Sequence, residues 1–153
     1  MRHTVEVDQS GRIDDTKVPT VLAFSDGENF SILIPAKVKR DCIHHLRQLG
    51  LSGPTFYIQL FATGLFFLLR NHIEKINQVV IDIEFFGKEN LIREHLINLF
   101  NRRGSKKVDP AKIQFHRIGK KSPAHFIALQ TFRRTRKPNL SINQRELLAE
   151  FSQ

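Results

Sequence analysis

VVIDIEFFGKE, Val79 to Glu89, begins with the alternation of a buried β-strand and yet carries Asp82 and Glu84 inside it. With a side-chain period of two, Val79, Ile81, Ile83 and Phe85 project to one face and Val80, Asp82 and Glu84 to the other. The two carboxylates then lie about 7 Å apart along one face of the strand. Placing two like charges in so apolar a segment is costly unless a cation, a proton or a partner compensates. Beyond Gly87 the period changes. Leu91, Ile92, Leu96, Leu99 and Phe100 recur at helical spacing up to Gly104, which predicts a strand over 79–85 followed by an amphipathic helix. A strand set between helices is covered on both faces, and open α/β sheets place their sites at the carboxyl ends of such strands.

Working outward, Ile113 to Ile118 reads as a fifth strand. Ser122-Pro123 supplies a cap and a first-turn proline for a helix reaching about Arg133. Upstream, Pro54 starts an apolar helix to about His72. Its core, Thr55 to Leu69, holds Gln59, Thr63 and Gly64 and is closed by Arg70. It falls short of the roughly 20 apolar residues that a membrane span needs. It reads as a buried helix with one face at a homodimer contact, and no membrane partner is expected. Pro35 opens an earlier helix as its first residue, with an apolar stripe of Val38, Cys42, Ile43, Leu46 and Leu49 ending at Gly50. Before it come three strands, His3–Asp8, Val18–Phe24 and Phe30–Ile34, the last two joined by Ser25-Asp26-Gly27, a tight-hairpin signal. The order predicts an α/β fold: a mixed five-stranded sheet, three antiparallel strands followed by parallel crossovers, with helices on both faces. One domain over residues 1–138 is expected. The basic run Arg133 to Lys137 leads into a C-terminal helical tail, 139–153, whose capping box is read as Ser141 with Gln144.

Composition bounds the function. The chain has 153 residues, 41% hydrophobic and 13 of them Phe, enough for one real core. Net charge is +9 and the pI about 10.1, which favours an anionic partner, nucleic acid before an acidic membrane surface. Cys42 is the sole cysteine. That excludes an intrachain disulfide and a Cys-rich zinc site, and it fits a reducing, cytoplasmic setting. Residues 1–15 are charged throughout and lack the apolar core of a signal peptide.

Two further features attach to the acids of the fourth strand. Asp8 ends the first strand in VEVDQSGR, and the first and fourth strands should be neighbours in this topology. His125, in GKKSPAH, sits in the first turn of the helix after the fifth strand. The element order, the Asp of VEVDQSG, the acids of VVIDIE and the helix opening SPAHFIA together resemble the ribonuclease H-like superfamily, which includes ribonuclease H, retroviral-type integrases and Holliday-junction resolvases. Its members place one acid on the first strand, one at the end of the fourth, and an Asp, Glu or His early in a late helix. The resemblance covers about residues 3–133. It implies Asp8 as the first metal ligand, Asp82 or Glu84 as the second and His125 as the third, the same residues being catalytic. Two departures stand out: the extra apolar helix Pro54–His72, and a helix over Ala36–Leu49 whose one acid is Asp41. Carboxylate ligands suit Mg²⁺ or Mn²⁺, and two such ions would bracket a phosphodiester.

Between Arg102 and Lys137 lie twelve of the chain's 24 Lys and Arg, against the single acid Asp109. Arg102, Arg103, Lys106, Lys107, Lys120, Lys121, Arg133, Arg134, Arg136 and Lys137 are the candidate contacts to a phosphate backbone of DNA or RNA. No zinc-finger spacing or aromatic strand motif that would read bases is present. Three functions are compatible: a metal-dependent nuclease, a non-catalytic nucleic-acid-binding module on the same scaffold, and an interaction protein that docks through the Phe-rich helix.

Overall fold

The computed structural model describes residues 3–26, 28–50, 53–104 and 107–151. Gly27 of the hairpin signal and Lys106 of the basic set lie outside the described residues.

The central strand is β4, Gln78–Asp82. It is parallel to β1, Thr4–Ser10, on one side and to β5, Ile113–His116, on the other. Its β-branched Val79, Val80 and Ile81 suit a strand with both edges paired. Pairing to β1 ends at Val7↔Ile81 and pairing to β5 at Asp82↔His116. The strand therefore stops at Asp82, short of the expected Phe85. One more bond follows, from Ile83 N–H to the His116 carbonyl at 3.2 Å. β1 pairs antiparallel with β2, Thr20–Asp26, and β2 with β3, Glu28–Ile34.

Among the described residues the sheet has six strands, in the order β5-β4-β1-β2-β3 and then Leu140–Ser141. This sixth strand, β6, is parallel to Ile32–Leu33 of β3. Its presence corrects both the five-strand expectation and the capping box. Ser141 is taken by the sheet, and Asn143 caps the final helix α5, Gln144–Ala149. The Asn143 side chain accepts from Glu146 N–H at 2.8 Å, and Glu146 Oε1 accepts from Asn143 N–H at 3.1 Å. Two other boundaries move. Pro35 has extended backbone, φ −59° and ψ 149°, so it is the cap of α1, Ala36–Gln48, and not its first residue. The apolar helix α2 is Pro54–Leu69, followed by a separate 3₁₀ turn at Ile73–Lys75.

Alternation along the strands sorts two unequal layers. Val5, Val7, Leu22, Phe24, Ile32, Ile34, Val79 and Ile81 face one side, where they meet α1, α2 and α3, Glu89–Arg103. Gly64 lets α2 come close to this face, since a Cβ there would lie 2.8 Å from Leu22 Cδ1. Val21 and Ala23 face the other side and meet Ile127 and Ala128 of α4, Pro123–Phe132. Helices thus cover both faces, α1, α2 and α3 on one and α4 on the other, with α5 packed on α1. Phe56, Phe61, Phe66 and Phe67 of α2 are at most 6% exposed. The covering comes from the same chain, so α2 presents no Phe patch to a second copy. Among the described residues no helix is long and apolar enough to cross a membrane.

Candidate active site

β1 and β4 are parallel neighbours, so their carboxyl ends lie at the same edge of the sheet. Asp8 pairs with Ala23 of β2, which puts it on the α4 side. Glu6 shares that face, and its Oε1 accepts from Ser122 Oγ at 2.8 Å. Ser122 also caps α4, its Oγ accepting from Ala124 N–H at 3.3 Å. The expected cap is therefore formed, and it fastens the helix start to β1. One turn on, His125 Nδ1 reaches Asp8 Oδ2 at 2.8 Å. Asp8 Oδ1 accepts from Gln9 N–H at 2.8 Å. Asp82, the last residue of β4, accepts from Ile118 N–H at 2.9 Å through Oδ1. Glu84 follows just past the strand. Asp8, Asp82 and Glu84 each offer one carboxylate oxygen, and these oxygens lie within 4.8 Å of one another.

The acids are crowded and poorly hydrated. Asp8 is only 6% exposed. Burial raises its pKa, against the hydrogen bonds from Gln9 and His125 that lower it, while the charge of Asp82 adds to the rise. Glu84 is pushed up to about 8, first by burial, then by the charge of Asp82 and a hydrogen bond to it, then by Asp8. In this setting the Glu84 carboxyl holds a proton more tightly than a free one does. Two full negative charges about 5 Å apart repel by about 3 kcal/mol at an effective dielectric of 20, so a proton or a cation is the natural occupant. A single ion with metal–oxygen bonds near 2.1 Å spans ligand atoms up to about 4.2 Å apart. Three carboxylate oxygens this close are the hard donor set that a divalent cation such as Mg²⁺ or Mn²⁺ takes, and drawing them onto one ion would need the side chains to close further.

Both fourth-strand acids join the cluster with Asp8. His125, which the resemblance implies as a third ligand, is hydrogen-bonded to Asp8 through Nδ1. An ionised Asp8 takes the hydrogen from Nδ1, which leaves the lone pair of a neutral ring on Nε2.

The structure divides the basic residues. Lys120 and Lys121 are exposed in the turn that leads to His125, and Arg133, Arg134, Arg136 and Lys137 are exposed beyond the other end of α4. These six belong to the side of the sheet that carries the acids. Arg102 and Arg103 end α3, across the sheet, and hold α5. Arg103 Nε pairs with Glu150 Oε1 at 2.8 Å, and Arg102 Nη2 donates to the Glu150 carbonyl at 3.4 Å. Lys107 lines a hollow with Arg70, Glu74 and Lys112 near the start of β4. The reason is topological: NRRGSKK precedes β5 and IGKKSP follows it, so the length of a strand separates them.

Sequence reasoning missed three features. Arg12 stands over the ring of Phe85, 5.3 Å from its centroid, beside Glu84. Phe86, two residues past Glu84, is 85% exposed, and Phe126, next to His125, is 53% exposed. Lys39 of α1 is fully buried. Only the paired exposed aromatics beside site residues had a signal in the sequence. His72 and His95 are half-buried: the Nε2 of each is buried and has no hydrogen-bond partner among the described residues, and burial lowers both pKa values. No family model, no curated protein and no solved structure matches the chain.

Proposed function

We propose that this protein is a metal-dependent nuclease of ribonuclease H-like fold, hydrolysing phosphodiester bonds of nucleic acid with Mg²⁺ or Mn²⁺ held by Asp8, Asp82 and Glu84. The observation that carries the proposal is the meeting of three carboxylate oxygens within 4.8 Å at the carboxyl ends of two adjacent parallel strands. The helix that follows β5 brings His125 to the same place, as the resemblance implies. When bound, one ion or a pair about 3.5–4 Å apart would supply an activated water and stabilise the leaving oxygen.

The protein's own groups do the rest. Gln9 N–H and His125 fix Asp8, and Ile118 N–H fixes Asp82, so two of the three acids are held before any ligand arrives. Glu84 gives up its proton as positive charge enters, so cation affinity rises with pH up to about 8. Lys120, Lys121, Arg133 and Arg134 attract the phosphate backbone. Exposed Phe86 and Phe126 offer rings against which bases can stack.

The second reading, a binding module without chemistry, is favoured by the burial and the Asp82 contact that raise the pKa of Glu84, since a proton shared by the pair would satisfy it with no ion. Asp82→Asn and Glu84→Gln separate the two readings. The assay is cleavage of labelled single strands, hybrids and four-way junctions in Mg²⁺ and in Mn²⁺. Loss of about 4 kcal/mol of transition-state stabilisation lowers cleavage by about a thousandfold, with binding kept or tightened because a negative charge near the phosphates is gone. Wild-type protein that cleaves none of these substrates, or variants that cleave like wild type, leave the binding module as the function.

A further inference from the structure

The connection from β1 to β2 runs over nine residues, Gly11 to Pro19, where antiparallel strands are commonly joined by about two to five. It is not loose. Gly11 turns with φ 78°, and a Cβ there would lie 2.1 Å from the Pro19 carbonyl oxygen. Ile13 is fully buried, and its N–H reaches Gln9 Oε1 at 3.3 Å. From α1, the buried Lys39 sends its ammonium into the loop. Its three hydrogens have three acceptors: the Arg12 carbonyl at 3.1 Å, the Asp15 carbonyl at 2.7 Å and Thr20 Oγ1 at 3.0 Å. Burial is unfavourable for this charge and lowers its pKa to about 8. A leucine would suit the apolar stripe of α1, so what Lys39 adds is its grip on the loop.

The residue so held is Arg12. Its guanidinium lies over Phe85, and Asp14 takes Nε at 3.0 Å and Nη2 at 3.3 Å. That two-point pair fixes the plane of the group. Nη1 has no partner among the described residues, and the side chain is 53% exposed. An exposed ion pair of this kind contributes little to stability. It gives no reason for anchoring the loop with a buried ammonium. The charge of Arg12 does act on Glu84, where it opposes the upward push on the carboxyl. A planar donor group held beside an acidic cluster, with one edge open to solvent, matches a phosphate oxygen.

We infer that Arg12 is a phosphate-binding residue of this site, contacting a backbone phosphate of the nucleic acid, and that Lys39 is the residue that positions it. The inference rests on the nuclease reading for the identity of the ligand. The test uses full-length Arg12→Gln, Lys39→Met and the double variant, with a labelled oligonucleotide without divalent metal across a salt series, and Mn²⁺ alone in a separate titration. Arg12→Gln should weaken oligonucleotide binding about three- to tenfold and lower the salt slope by just under one. It should also tighten Mn²⁺ binding, because a positive charge beside Glu84 is gone. These opposite signs do not arise from damage to the fold. Lys39→Met should lose oligonucleotide affinity in the wild-type background and nothing further in Arg12→Gln. Thr20→Val, which removes one acceptor, takes its place if Lys39→Met does not fold. An unchanged salt slope in Arg12→Gln overturns the phosphate role, and additive losses overturn the positioning role. Inorganic phosphate serves as a competitor: displacement that disappears in Arg12→Gln while the salt slope stays unchanged assigns Arg12 to a free anion and overturns the nucleic-acid role. If wild type binds no Mn²⁺ and cleaves nothing, the nuclease reading fails by itself, and the salt slope still decides Arg12.

Discussion

The two faces of the sheet are built from the same strands and do opposite things. On one, Val5, Val7, Val79 and Ile81 are at most 1% exposed beneath three helices. On the other, Glu6, Asp8 and Asp82 alternate with them, residue by residue, beside a single helix that meets the sheet through Val21 and Ala23. Val7 and Asp8 are adjacent in the chain, and so are Ile81 and Asp82. The pleat alone sends one to the core and the next to the acids. A rigid apolar layer can therefore hold an electrostatically unfavourable cluster in place, and stability and chemistry are separated across the thickness of one strand.

That separation is tested most severely on the apolar side. Phe61→Ala removes a ring that is 1% exposed and should cost about 3–5 kcal/mol in denaturant unfolding. A loss below 1 kcal/mol would mean that the thick layer is not where stability resides.

The acid side predicts the reverse sign. The folded state raises the pKa of Glu84 from 4.5 to about 8. Between those values the native protein holds a proton that the unfolded chain has lost, so stability falls as pH climbs through this window and stays lower above it. Glu84→Gln cannot titrate and escapes the loss. It should match wild type near pH 4 and be more stable at pH 8.5, by on the order of 1–2 kcal/mol. Thermal unfolding at the two pH values measures this. A variant destabilised at both would place Glu84 with the structural residues.

The smallest stability effect belongs to the rim. Lys120→Gln with Lys121→Gln should leave stability within about 0.5 kcal/mol and flatten the salt dependence of nucleic-acid binding by about one unit per lost phosphate contact. Arg102→Gln with Arg103→Gln, across the sheet, should leave the salt slope unchanged. Equal slopes in the two pairs would erase the distinction between the faces.

Much of this was legible because it is local. Alternation in VVID marked the strand and the face of its acids, and Ser122-Pro123 marked the start of α4 at its true place. What needed long-range information was not legible. Pairing of β4 ends at Val7 of β1 and His116 of β5, so Ile83 and Glu84 read as strand although only the bond from Ile83 N–H to the His116 carbonyl continues past Asp82. Ser141 and Asn143 both fit a capping pattern, and pairing with Leu33, more than a hundred residues away, decides between them. Lys39 looks like a surface lysine until the loop carbonyls that surround it are known. The basic run was counted correctly along the chain, but a count cannot say that β5 places its two halves at opposite ends of the sheet. The Phe-rich helix was read as buried, and Phe56, Phe61, Phe66 and Phe67 are covered within the chain.

One small element sets the manners of the molecule toward its own copies. β3 is a seven-residue strand carrying Phe30, Ile32 and Ile34, and its outer edge would be a template for another chain to add to. Leu140 and Ser141 occupy that edge, Ser31 N–H is closed by Asn139 Oδ1 at 2.9 Å, and the Leu33 carbonyl by Ile142 N–H at 2.9 Å. At the opposite edge β5 has only four residues, between Lys112 and Arg117, too short and too charged at its ends to recruit a neighbour. The segment after Pro138 contributes none of the carboxylates, yet it covers the edge of β3 that would otherwise lie open to another strand.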